Sequence, residues 1–128
     1  MVKRKNGKII HVGSIASNEA VGSLGYNIAK ASLNAYVKTL GRDLASKNIV
    51  VTGIAPGGFI TKDNAMDRLK IKNNKAYKKF IKERLPRKKM GNTNEIIPLV
   101  KFLCSENSGM MSGCLVPIDG GESKSYNF

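Results

Sequence analysis

A chain of 128 residues is long enough for one compact domain and too short for two, and 41% hydrophobic with 24% charged residues is a globular composition that excludes a disordered chain. No apolar run could span a bilayer, the basic stretch Met1 to Gly7 leads into no apolar core, and Cys104, Cys114 and His11 make neither a disulfide framework nor a four-ligand metal site. The expectation is therefore a cytoplasmic protein with no membrane segment and no metal, whose one compositional anomaly is a net charge of +13.

Lys8 to Ser14 (KIIHVGS) predicts a buried strand, with Ile10, Val12 and Ser14 on one face and Ile9 and His11 on the other. His11 has no carboxylate or cysteine neighbour in sequence and reads as a strand residue rather than a catalytic base. Ile15 to Gly25 is small and polar and predicts a loop. From Tyr26 to about Ser46, the recurrence of Ile28, Leu33, Tyr36, Val37, Leu40 and Leu44 near the 3.6 period predicts a helix, with alanines between them. Lys47-Asn48 closes it. Ile49 to Ala55 is a second buried strand rich in β-branched residues, stopped by Pro56-Gly57-Gly58.

Thr61 to Leu85 predicts one or two amphipathic helices that turn Met66, Leu69, Tyr77, Phe80 and Ile81 inward. Between Lys62 and Lys89 lie twelve basic residues against three acidic ones. Such a stretch is either a solvated surface or an electrostatic dock for an anionic partner. Nucleic acid is not expected, because no helix-turn-helix, zinc or stacking-aromatic pattern accompanies the charge. Asn92 followed by Glu95 resembles a capping box for a helix through Ile96 to Leu103, with Pro98 leaving its start open. Leu115 to Ile118 is a short third strand, and Asp119-Gly120-Gly121 a turn. Strand, helix, strand, helix, strand is the order of a parallel α/β sheet. Three strands are few for a parallel sheet, and the first is left wanting a partner, so the chain reads as part of a larger one.

Tyr26-Asn27-Ile28-Ala29-Lys30 is a Y-x-x-x-K spacing at the start of a helix, and residues i and i+4 share a helical face. A free phenol ionises at about pH 10, too high for proton exchange at neutral pH, and a neighbouring cation favours the phenolate. Alone this spacing is a weak signal, but its surroundings are ordered. Val12-Gly13-Ser14 ends a strand twelve positions before Tyr26. The following strand ends in Ala55-Pro56-Gly57-Gly58-Phe59-Ile60-Thr61, and Ser112-Gly113 and Val116-Pro117-Ile118-Asp119-Gly120-Gly121 close the chain.

This ordered set resembles the classical short-chain dehydrogenase/reductase family over nearly the whole chain, in particular its 3-oxoacyl-[acyl-carrier-protein] reductase-like members. The resemblance implies an α/β fold in the form of a partial Rossmann-like doubly wound parallel sheet. Residues 1–128 would supply the last three strands and their helices, the C-terminal catalytic portion of a single domain. It implies an NAD(P)-dependent oxidoreductase in which Ser14 orients a carbonyl or hydroxyl substrate, Tyr26 exchanges the proton, and Lys30 binds the nicotinamide ribose and lowers the tyrosine pKa. Ser17 is the alternative to Ser14. Tyr26, Lys30, Pro56, Gly57, Phe59 and Thr61 would border the cofactor, NAD or NADP, with Phe59 standing where the family carries an aliphatic residue.

The family's T-G-x-x-x-G-x-G cofactor turn, its N-N-A-G strand end and its helix asparagine have no counterpart in the chain. The expectation is a fragment, a truncated reading frame or a remnant. It would be inactive alone and active only with the N-terminal half, or else an inactive module that pairs with intact relatives. The substrate would be a small carbonyl or alcohol, either free or carried on an anionic handle met by the basic stretch. The Tyr26 to Ser46 helix would form a homo-oligomer interface.

Overall fold

The computed structural model describes residues 1–126. In chain order it contains β1 (Gly7–Val12), α1 (Leu24–Ala45), β2 (Ile49–Pro56), β3 (Phe59–Ile60), α2 (Ala65–Lys72), α3 (Asn74–Arg84), β4 (Gly91–Asn92), α4 (Thr93–Cys104) and β5 (Leu115–Ile118). Short 3₁₀ turns occupy Val2–Arg4, Ile15–Ser17 and Glu106–Met111. The main sheet is parallel with order β1-β2-β5; Gly7 pairs with Ile49 at one end of the first ladder, and Pro56 with Ile118 at the far end of the second. This is the parallel α/β sheet that the order of predicted elements implied, in the partial doubly wound form that the resemblance implied.

The β-branched sequence of β2 suits a central position, and all eight of its residues are buried. α1 packs against β2, and α4 against β1 and β2. Within α1 the apolar positions divide. Val37 and Gly41 are fully buried, Leu33, Leu40 and Leu44 are half-buried, and Ile28 and Tyr36 face outward. Leu24, Ile28, Ala31 and Ala35 recur at helical spacing along an exposed stripe, with Leu24 at 80% and Ile28 at 58% exposure. His11 packs edge-on against Tyr36 with ring centroids 5.4 Å apart, as a strand residue should.

One knot holds helix, sheet and loop together. Ser112 Oγ donates to the Gly41 carbonyl at 3.1 Å and accepts the Val51 amide at 3.3 Å, while the Gly113 amide donates to the Val51 carbonyl at 2.7 Å. Gly41 allows this approach, since a Cβ there would lie 2.5 Å from the Gly113 nitrogen. Gly113 itself has φ +77°, a conformation that favours glycine.

The basic stretch forms two helices rather than one because asparagines start each. Asn64 Oδ1 accepts the Asp67 amide at 2.9 Å, and Asn73, at once the last cap of α2 and the first of α3, accepts the Ala76 amide at 2.9 Å. Met66, Leu69, Tyr77, Phe80 and Ile81 are half-buried as the spacing predicts. β3 and β4, two residues each, pair in parallel and bring the two ends of this segment together. Strands so short leave no periodic trace in sequence, and the sequence did not reveal them. Asn92 and Glu95 make the predicted capping box of α4, and Pro98 is accommodated inside that helix.

Two outcomes follow from these contacts. Gly41→Ala should lower unfolding stability by about 2 kcal/mol or more, because the new methyl meets backbone that cannot turn aside. Gly25→Ala, where a Cβ meets nothing within 4 Å, should be near neutral; equal denaturant midpoints for the two variants would contradict this account. The Glu95 carboxyl is held below its ordinary range by its hydrogen bond with Arg87 and then by the Asn92 amide. A depressed folded value means that the box contributes fully above the unfolded carboxyl pKa and that its contribution is lost as pH falls through the folded value. Arg87→Gln should return the Glu95 midpoint toward the ordinary range in a carboxyl NMR titration.

Candidate active site

β1 and β2 run parallel, so Val12 and Pro56 end them on the same side of the sheet and the segments that follow leave together. Between these segments lies an open cleft of about 400 Å³. Ser14, Ile15 and Tyr26 line one side; Pro56, Gly57, Gly58 and Phe59 form a wall; Asn64, Met66, Phe80, Arg84 and Glu122 complete the far side.

Ser14 is buried, and its Oγ accepts the Ala16 amide at 3.1 Å, which opens the Ile15–Ser17 turn. Because that oxygen serves as acceptor there, its own hydrogen remains free to donate. Tyr26 lies in the first turn of α1, capped by Ser23, and is 46% exposed at the cleft. One turn further on, Lys30 Nζ donates to the Val12 carbonyl at 3.0 Å and stands 5.6 Å from the centroid of the Tyr26 ring. The i, i+4 spacing thus places the cation against the phenol, and the bond to Val12 ties both to the end of β1.

Of the sequence-predicted residues, Ser14, Tyr26, Pro56, Gly57 and Phe59 come together on the cleft lining. Lys30 adjoins it through Tyr26. Thr61, half-buried just past β3, is outside the lining, and its carbonyl accepts the Asn64 amide at 3.2 Å. Ser17 is buried away from the cleft, and among the described residues its hydroxyl meets no hydrogen-bond partner.

Sequence reasoning missed three contributors. Asn27 accepts the Gly22 amide at 2.9 Å and donates to the Glu19 carbonyl at 2.9 Å, so it staples the Ser14–Ser23 loop onto α1; an amide inside the Y-x-x-x-K spacing was the available signal. Glu122 is buried and accepts the Gly58 amide, and it is paired with Arg84 at 3.5 Å. A carboxylate directly after Gly120-Gly121 and an arginine ending a lysine-rich helix carried no distinguishing pattern.

The chain matches known proteins over nearly its whole length. The family model described as enoyl-(acyl carrier protein) reductase matches residues 1–123. The 3-oxoacyl-[acyl-carrier-protein] reductase of Aquifex aeolicus is 31% identical over 122 residues, covering 94% of this chain and 47% of that protein. Dehydrogenase/reductase SDR family member 4 of Mus musculus is 35% identical over 122 residues, again 94% of this chain and 42% of the relative. Among solved structures, the 3-oxoacyl (acyl-carrier-protein) reductase of Agrobacterium tumefaciens with NADP bound superposes with a TM-score of 0.82 at 28% identity, covering 94% of this chain and 46% of that one. The chain therefore spans about half the length of the curated relatives it matches.

Proposed function

Since the chain belongs to the short-chain dehydrogenase/reductase family, we propose that it carries the catalytic part of an NAD(P)-dependent oxidoreductase acting on a small carbonyl or alcohol. One observation carries the reading: Ser14 and Tyr26 line the same cleft while Lys30 is tied against the tyrosine ring.

The residues present fit the nicotinamide end of the cofactor. Pro56, Gly57 and Gly58 form a wall with few projecting side chains, and Lys30 keeps two of its three ammonium hydrogens after its bond to Val12. Lys30, Pro56, Gly57 and Phe59 would hold that end, with Tyr26 beside it and Thr61 meeting it beyond the edge of the cleft. Bound there, NAD or NADP supplies hydride chemistry. The chain's own residues supply the rest. The Ser14 hydroxyl donates to the substrate oxygen and fixes its position. Tyr26 gives up or takes the proton at that same oxygen. Lys30 keeps a positive charge beside the phenol, and the N-terminal turn of α1 adds a partial one. With only these contacts, the 128-residue chain should hold the dinucleotide weakly, and full activity would need further cofactor-binding elements.

The exposed stripe of α1 favours a second reading, a module that pairs through this helix and has no turnover of its own. Both readings predict self-association, because Leu24 and Ile28 are large apolar groups largely exposed on one helix face. Turnover separates them. In a protein active for NAD(P)H-dependent carbonyl reduction, Tyr26→Phe should lower kcat by about two to four orders of magnitude with cofactor affinity nearly intact. Lys30→Ala should damage both. A Tyr26→Phe protein with near-normal kcat would overturn the assignment of the proton to this residue. In sedimentation, Ile28→Glu should shift the protein toward monomer; a stable monomer before substitution would remove the case for pairing.

A further inference from the structure

The cleft holds a cation that the proposed chemistry does not use. Arg84 ends α3 and shares the lining with Ser14 and Tyr26. Among the described residues its guanidinium meets a single partner, with Nη2 3.5 Å from Glu122 Oε1. The Arg84 side chain is 39% exposed, against 3% for Glu122. Glu122 is already committed, since its second oxygen accepts the Gly58 amide. The glycine pair makes room for it, because a Cβ on Gly57 would lie 2.7 Å from that same oxygen.

These facts favour one sign of charge in a ligand of the cleft. A cationic substrate would find the one carboxylate enclosed and both its oxygens occupied. An anionic one would find a planar fork anchored at one corner, with its other N–H donors uncommitted. The field of α3 has the same sign, with Lys75, Lys78, Lys79, Lys82 and Arg84 against Glu83. Resting on the reading of this cleft as the substrate site, we infer that Arg84, held by Glu122, is a specificity-determining residue that takes a carboxylate on the substrate. The favoured substrates are then oxo acids and the matching hydroxy acids rather than neutral ketones and alcohols.

Guanidinium recognises phosphate by the same fork, so the test needs both anions. The isotope-labelled chain is titrated with levulinate and its methyl ester, and with dihydroxyacetone phosphate and dihydroxyacetone, while the amides of Ser14, Tyr26 and Arg84 are followed by NMR. The acid should bind about tenfold more tightly than its ester. Arg84→Gln should erase that preference without changing ester binding, Arg84→Lys should keep part of it, and Lys79→Gln, outside the lining, should leave it unchanged at high salt. Equal losses for acid and ester in Arg84→Gln would mark a merely structural arginine and overturn the inference. Discrimination confined to the phosphate pair would overturn the carboxylate assignment. If acid and ester perturb Ser14 and Tyr26 equally, the inference falls and the cleft reading stands; if no compound perturbs those residues, the cleft reading falls and takes the inference with it.

Discussion

Strand β2 has no solvent on either face and hydrogen-bonds to neighbours along both edges, with β1 on one side and β5 on the other. The flanking strands and the helices α1 and α4 are arranged to satisfy that enclosure. A strand of Ile, Val, Thr and Ala can sit there because it offers apolar surface in both directions, and its backbone finds partners only if both flanking strands are present. Gly53 marks how close the fit is, since a Cβ there would stand 2.6 Å from the Leu115 side chain. The Ser112-Gly113 knot then fixes α1 over the strand, so the position of the tyrosine helix is set from the sheet outward.

The candidate site lies at one end of this sheet for a topological reason. Parallel strands discharge their connections on the same side, and a cleft opens there between segments that the ladders hold at fixed spacing. Lys30 converts that general property into a particular one. By donating to the Val12 carbonyl, it uses a backbone acceptor at the strand's end to aim a side chain that also faces Tyr26. The tyrosine, the lysine and the strand end thus form one unit, and Ser14 lies only two residues beyond Val12.

Much of this was legible in the sequence because it rests on local spacing. The β-branched run of β2, the 3.6 period of α1 and the Asn92 and Glu95 box each declare themselves within a few residues, while the Y-x-x-x-K pair drew its weight from the ordered motifs around it. Ile28 and Tyr36 show where periodicity stops: it finds the apolar positions of α1, but the neighbours packed on the helix decide which of them are covered. The β3–β4 pairing and the Arg84–Glu122 contact were not legible, since each joins positions separated by some thirty residues or more and neither leaves a periodic pattern. Phe59 illustrates the boundary well. Its place in the motif was readable, while its pairing with Gly91 appears only once the chain is folded.

The small β3–β4 clasp has an evolutionary consequence. It closes the neck of the segment that carries α2 and α3, with the Gly91 amide also donating to the Gly58 carbonyl at 3.1 Å. A loop whose ends are pinned can grow or shrink at small entropic cost, about 0.6 kcal/mol for each doubling of its length. Insertions and exchanges in this segment would therefore leave the sheet and the tyrosine helix nearly undisturbed while remaking one side of the cleft. One side of the cleft can thus be remade by trading a detachable piece, with Ser14, Tyr26 and Lys30 left in place.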